Sequence, residues 1–173
     1  MTDDEVFEAV RARVLEGRPT SLPKRPTAPA PASQAAVDKV ERVVGYPLPP
    51  LLRRLYMEVA DGGFGPFGGI VGTTDEEVLE GYVEYLEGEL DVDEPPSPPR
   101  GVFFFCDFGC AMWALLDCRH PEGQMWWWEE GDRHKLDLTF PQWLEAWLDG
   151  RLSPDFMGTL ELQEESWLRP MWE

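Results

Sequence analysis

Residues 40–63 read VERVVGYPLPPLLRRLYMEVADGG, and this stretch decides how the chain is laid out. Val40, Val43 and Val44 continue an apolar helical stripe that begins at Ala36 and Val37, and Gly45 is placed to end it. Pro47, Pro49 and Pro50 forbid the helix from running on, because proline lacks the N–H and disfavours helical geometry in the residue before it. Leu51, Leu52, Leu55, Tyr56 and Val59 then restart helical periodicity, and Asp61-Gly62-Gly63 stops it. Two short helices joined by a proline corner, then a turn, are therefore expected.

Towards the N-terminus, Ser33 is the expected cap of the first of these helices. Residues 18–32, RPTSLPKRPTAPAPA, hold five prolines and read as an extended linker rather than core. Before them, Thr2 and Glu5 have capping-box spacing, and Val6, Val10 and Val14 follow at every fourth residue. The expected organisation is an N-terminal helix in 1–17, a Pro-rich linker in 18–32, one domain in 33–150 and an extension in 151–173 that carries one more helix around Pro154–Glu165. Joined through the linker, the first helix is expected to pack loosely or to contact something outside the domain.

Towards the C-terminus, residues 62–72, GGFGPFGGIVG, form a Gly-rich loop leading to a short strand at Ile70-Val71. Thr74 and Glu77 again have capping-box spacing, and a helix to about Leu86 follows, with Val78, Leu79, Tyr82, Val83 and Leu86 on its apolar side. PPSPP at 95–99 is a second stiff connector. Strand-like segments come next: Val102–Cys106, Ala111–Leu116 and Gln124–Trp128, with a fourth at His134–Leu138. A turn at Asp107-Phe108-Gly109 separates the first two, and the short connections favour an antiparallel meander. Thr139 then caps an amphipathic helix with Phe140, Trp143, Leu144, Trp147 and Leu148 on one face.

The chain has 173 residues with 33 acidic and 15 basic side chains, a net charge of −18. Residues 1–74 are balanced, with 9 of each sign, so the whole excess lies after Thr74. Its densest block, Asp75 to Glu94, holds 10 carboxylates and no Lys or Arg. Such a block serves either as a solubilising helix face or as a docking surface for a basic protein. Nucleic acid and anionic membranes are both repelled by this charge, which argues against either as a partner. The start, MTDDEVFEAV, has no basic region or apolar block, so no signal peptide is expected, and the apolar runs fall far short of the roughly 20 residues that span a bilayer. A cytoplasmic protein is the expectation, and three Cys do not suggest a disulfide framework.

No catalytic constellation stands out. Cys106, Cys110, Cys118 and His120 have the spacing C-x3-C-x7-C-x-H, which is not a usual zinc pattern, and buried apolar Cys is the simpler reading. The Gly-rich loop lacks the Lys-Ser/Thr ending of a P-loop and reads as a structural turn, so no cofactor and no metal are expected. His120 and His134 are the only histidines, and no Gly-x-Ser-x-Gly elbow exists. Trp126-Trp127-Trp128 is unusual: alternation puts Trp126 and Trp128 on one strand face and Trp127 on the other. At least one belongs to the core; another, if exposed, would be an interface anchor.

The order of these motifs resembles the SUKH superfamily, which includes the Smi–Knr type cell-wall regulators of fungi. The matching positions are Glu41, Gly45, Leu48, Pro49, Leu55, Tyr56, Asp61, Gly62 and Gly63, followed by Gly109, Asp117, Gly123, Phe140, Trp143 and Leu144, over about residues 34–150. The resemblance implies a single α+β domain with an antiparallel sheet of about four to six strands flanked by helices. It also implies a non-enzymatic role, since bacterial members are commonly immunity proteins that neutralise a toxin, often a nuclease. The motif residues it matches look structural. Together with the one-sided charge, it makes a basic protein toxin the expected partner, met by Asp75, Glu76, Glu77, Glu80, Glu84 and Glu87 with Trp127 as an anchor. The other reading is a regulatory scaffold of the Smi–Knr type with no toxin partner. The oligomeric state is not legible in the sequence.

Overall fold

The computed structural model describes residues 1–22, 27–75, 98–129 and 132–159. Among them the order is α1 (Asp3–Leu15), α2 (Gln34–Val44), α3 (Pro50–Glu58), β1 (Val102–Gly109), β2 (Met112–Asp117), β3 (Gln124–Glu129), β4 (Asp132–Thr139), α4 (Phe140–Leu148) and α5 (Pro154–Thr159). The four strands form one antiparallel sheet in sequence order, β1-β2-β3-β4. The chain is thus an α+β domain, with a strand count at the lower edge of the expected range. The helix proposed after Thr74 lies outside the described residues.

The helices start and stop where the sequence places their caps. Thr2 and Glu5 bond reciprocally at the head of α1. The Ser33 hydroxyl accepts from the Ala36 N–H, and Gly45 closes α2 at φ +82°, the left-handed conformation glycine adopts without a Cβ penalty. Pro50 opens α3, where its missing N–H costs nothing. The Thr139/Gln142 capping box opens α4, and Phe140, Trp143, Leu144 and Trp147 are all buried.

In the sheet, β2 and β3 alternate strictly. Ala114, Leu116, Met125 and Trp127 join the main core beneath the helices, while Leu115 and Trp126 face the other way. On that second face Val102, Leu115 and Trp126 are buried, with the Phe104 ring edge-on to Trp113 at 5.4 Å and to Trp128 at 5.5 Å. Strand β1 breaks the alternation. Its ladder with β2 skips Phe105, and this bulge lets Phe105 and Cys106 both enter the main core. The strand also outruns the expected turn. It continues through Asp107-Phe108-Gly109, Gly109 pairs with Met112, and the two-residue tip is Cys110-Ala111, at φ +52° and +59°. Two left-handed central residues are the pattern of a type I′ hairpin, matched to strand twist; neither Cys nor Ala advertises that conformation.

The N-terminal arm corrects a second expectation. Helix α1 does not pack loosely: Val6, Phe7 and Val10 are buried in the same core as α3 and α4. Arg13 lies over the Trp147 ring at 4.9 Å and donates to the Leu148 carbonyl at 2.8 Å. The proline-rich segment straps the arm down. Ala32 N–H donates to the Tyr56 carbonyl, Ala30 carbonyl accepts from Asp61 N–H, and Ser21 accepts from the Trp147 indole at 3.1 Å.

Candidate protein-interaction site

The motif residues build two joints. At the first, Glu41 on α2 reaches over the proline corner. Its carboxylate accepts from the Leu48 N–H at 3.0 Å and from the Arg53 guanidinium at 2.8 Å, so one side chain fixes the approach of α3 to α2. Pro49 continues the corner onto the sheet, and a Cβ at Gly123 (φ +77°) would come within 2.8 Å of the Pro49 ring. Trp143 is buried beside Phe105, with ring centroids 6.1 Å apart.

The second joint follows α3. The Asp61 carboxylate accepts from the Thr73 N–H at 2.6 Å, the Thr73 hydroxyl at 3.0 Å and the Thr74 hydroxyl at 3.3 Å. The Tyr56 hydroxyl donates to the Val71 carbonyl at 2.7 Å. Burial, and then the negative charge of Asp61, pushes the Tyr56 hydroxyl well above its ordinary pKa, so it remains a donor. These bonds pinch the two ends of the Gly-rich loop together. Gly63 N–H donates to the Ile70 carbonyl and Ile70 N–H to the Phe64 carbonyl. The crossing is so close that a Cβ at Gly62 would sit 2.6 Å from the Gly72 nitrogen. Ile70 bridges to Cys106, which attaches the loop to the outer edge of β1. The Cys106 Sγ lies 3.5 Å from both the Pro66 and the Gly69 carbonyl oxygens, which share its one S–H, and burial pushes the thiol up, out of the range in which it would ionise.

The pinched loop holds Phe64 inside and Phe67 outside. Phe64 is fully buried, whereas Phe67 is 39% exposed and held at φ +49°, a left-handed conformation costly for a bulky side chain. Its ring stacks on Phe108 with centroids 5.8 Å apart. Between this loop and the β1–β2 hairpin lies a cleft of about 720 Å3, lined by Asp61, Phe67, Asp75, Asp107, Gly109 and Trp113 among others. Its described lining residues include three carboxylates and no Lys or Arg.

Of the expected contact residues, Asp75 lines this cleft, while Glu76, Glu77, Glu80, Glu84 and Glu87 lie outside the described residues. Trp127 is corrected: it is 1% exposed, packs edge-on to Phe108 at 5.2 Å, and is a core residue rather than an anchor. The sequence reading missed Phe67, Asp107 and Trp113 as a group. The available signal was Phe67 itself, a large aromatic in a loop otherwise made for tight backbone crossing. Cys106 and Cys118 are buried and Cys110 is exposed at the hairpin tip; among the described residues, no three His, Cys, Asp or Glu side chains are grouped as metal ligands. No described helix is long and apolar enough to cross a membrane.

A comparison with curated proteins finds no match. The description of the SMI1 / KNR4 family (SUKH-1) matches residues 31–146, which spans the α2–α3 corner, the Gly-rich loop, the whole sheet and most of α4. The chain belongs to the SMI1 / KNR4 family (SUKH-1), and with it to the SUKH superfamily.

Proposed function

We propose that the protein is an immunity protein, a non-enzymatic module that binds and neutralises a basic, nuclease-type toxin in the cytoplasm. The observation that carries this reading is the charge asymmetry: 10 carboxylates and no Lys or Arg between Asp75 and Glu94, in a chain balanced up to Thr74. Membership of a family whose proteins are often immunity proteins supports it. Enzymes that act on nucleic acid need a basic surface, and an acidic inhibitor surface both covers it and speeds encounter by roughly 10- to 1,000-fold. Asp75, Glu76, Glu77, Glu80, Glu84 and Glu87 are the residues assigned to that surface.

The test is co-expression with toxins encoded beside this gene. Restored growth and a co-purifying complex support immunity. No rescue from any neighbouring toxin refutes it and leaves the regulatory scaffold. Given a complex, reversing the charge at Glu76, Glu80 and Glu84 lowers the association rate by at least about tenfold at low salt and flattens its salt dependence. An unchanged rate removes the acidic surface from the account.

A further inference from the structure

The cleft beside the Gly-rich loop extends this reading, on which it rests, from a charged surface to a specific seat. We infer that the cleft receives an arginine side chain presented by a loop of the protein partner. At about 720 Å3 the space is in the range of recognition pockets, and it accommodates a loop segment rather than a single ion. Its chemistry selects the occupant. Asp61, Asp75 and Asp107 line it, and three carboxylates in one cleft attract a cation. Two of these carboxylates are held in place by the fold: Asp61 by Thr73 and Thr74, and Asp107 by the Gly109 N–H at 2.6 Å. An ionised carboxylate has about four acceptor sites, so each retains capacity towards a donor from outside.

The same cleft is lined by two aromatic side chains, Phe67 and Trp113. The chain keeps Phe67 39% exposed at φ +49°, although a glycine there would relieve the strained backbone. Carboxylates next to aromatic faces suit a guanidinium better than an ammonium. The guanidinium is planar, stacks on rings, bonds a carboxylate through two N–H groups at once and is more weakly hydrated.

The test is an NMR titration of the full chain, labelled with 15N, with the blocked tripeptide acetyl-Gly-Arg-Gly-amide. The control is the same tripeptide with citrulline, which keeps the shape and removes the charge. The expected result is saturable shifts at the amides of Gly68, Gly69, Gly72 and Gly109 and at the Trp113 indole, with a Kd on the order of 1–10 mM, and no saturation with citrulline. Phe67→Gly, which fits the left-handed backbone, and Asp107→Asn, which keeps the oxygen facing Gly109, each weaken binding roughly fivefold, while the dispersed amide spectrum without peptide shows both variants folded. Equal response to both tripeptides, shifts confined to other residues, or affinity untouched by both substitutions overturns the seat. Loss of the seat leaves toxin neutralisation standing, because growth rescue tests that separately; conversely, a saturating cleft in a protein that rescues nothing removes the toxin and keeps the seat.

Discussion

Gly62→Ala isolates how much of the Gly-rich loop depends on backbone touching backbone. Gly62 has φ +72°, and a Cβ there would meet the Gly72 nitrogen at 2.6 Å, the Gly72 Cα at 2.7 Å and the Ile70 carbonyl oxygen at 2.8 Å. All three are main-chain atoms of a loop fixed by the Asp61 and Tyr56 bonds, so none can swing aside as a side chain would. Gly150 is the matched control, with φ +71° and nothing within 4 Å of the added Cβ. At Gly150 alanine costs only the left-handed strain, about 1–2 kcal/mol, less about 0.4–1 kcal/mol recovered because alanine loses less freedom on folding. The net is roughly 0.5–1 kcal/mol. At Gly62 the same terms apply, and forcing the strands of the neck apart adds about 1–3 kcal/mol. The expected loss is therefore about 2–4 kcal/mol, a sizeable part of a domain stability of roughly 5–15 kcal/mol. Urea unfolding followed by tryptophan fluorescence measures both variants with one slope. If Gly62→Ala falls within about 0.5 kcal/mol of Gly150→Ala, the neck is not closely packed and the cleft's frame is softer than the geometry states.

Arg119→Met should cost about 3–5 kcal/mol in the same assay, because it strips the two-pronged partner (2.9 and 2.7 Å) from Asp117, whose side chain is fully buried; a loss below about 1 kcal/mol would contradict this. Stability should fall as pH rises above about 9. Cys106, Cys118 and Tyr56 all have folded pKa values raised by burial, so their contribution is complete below the unfolded values of 9.0, 9.0 and 10.0 and is lost as the unfolded chain ionises first. At pH 10 the two thiols alone account for roughly 3 kcal/mol, and a flat urea midpoint between pH 8 and pH 10 would rule this out. With a thiol-specific chromogenic reagent the native protein should show one fast-reacting group, at exposed Cys110, and Cys110→Ala should abolish it; rapid reaction of a second thiol would show that Cys106 or Cys118 is accessible.

Local signals carried the helices and the strand order. Ser33, Gly45, Pro50 and Thr139 each act within a turn of chain, and connections as short as Cys110-Ala111 leave adjacent strands little choice but to pair antiparallel. What failed to show in the sequence is long-range or conformational. The bulge at Phe105 follows from packing Phe105 and Cys106 against the same core, and an apolar run reads alike with or without it. The hairpin tip shifted by two residues because Gly109, the one residue that looks like a turn, serves inside the strand at φ +76°. The prolines of 18–32 led to the expectation of an extended linker. They did not say that Pro19 and Leu22 would bond to the Gly-rich loop, or Ala30 and Ala32 to the end of α3, with α1 packed into the core. Of the site, Asp75 was legible through charge. Asp107 and Phe67 are 40 residues apart in sequence, and only the attachment of the loop to the β1 edge brings them to one cleft.

That attachment also shows how structural motif residues frame the cleft. Glu41, Gly45, Leu48 and Pro49 fix α3 against α2. Tyr56, Asp61, Gly62 and Gly63 then fix the Gly-rich loop against the end of α3, and Cys106 holds its far side to the sheet. The joints are made of main-chain and side-chain hydrogen bonds, and Phe67 stays outside them, stacked on Phe108. The frame rests on the glycines, on the Asp61 carboxylate and on its Thr73 and Thr74 partners. In this chain the lining is acidic and aromatic, and it lies at the start of the run of carboxylates that begins with Asp75.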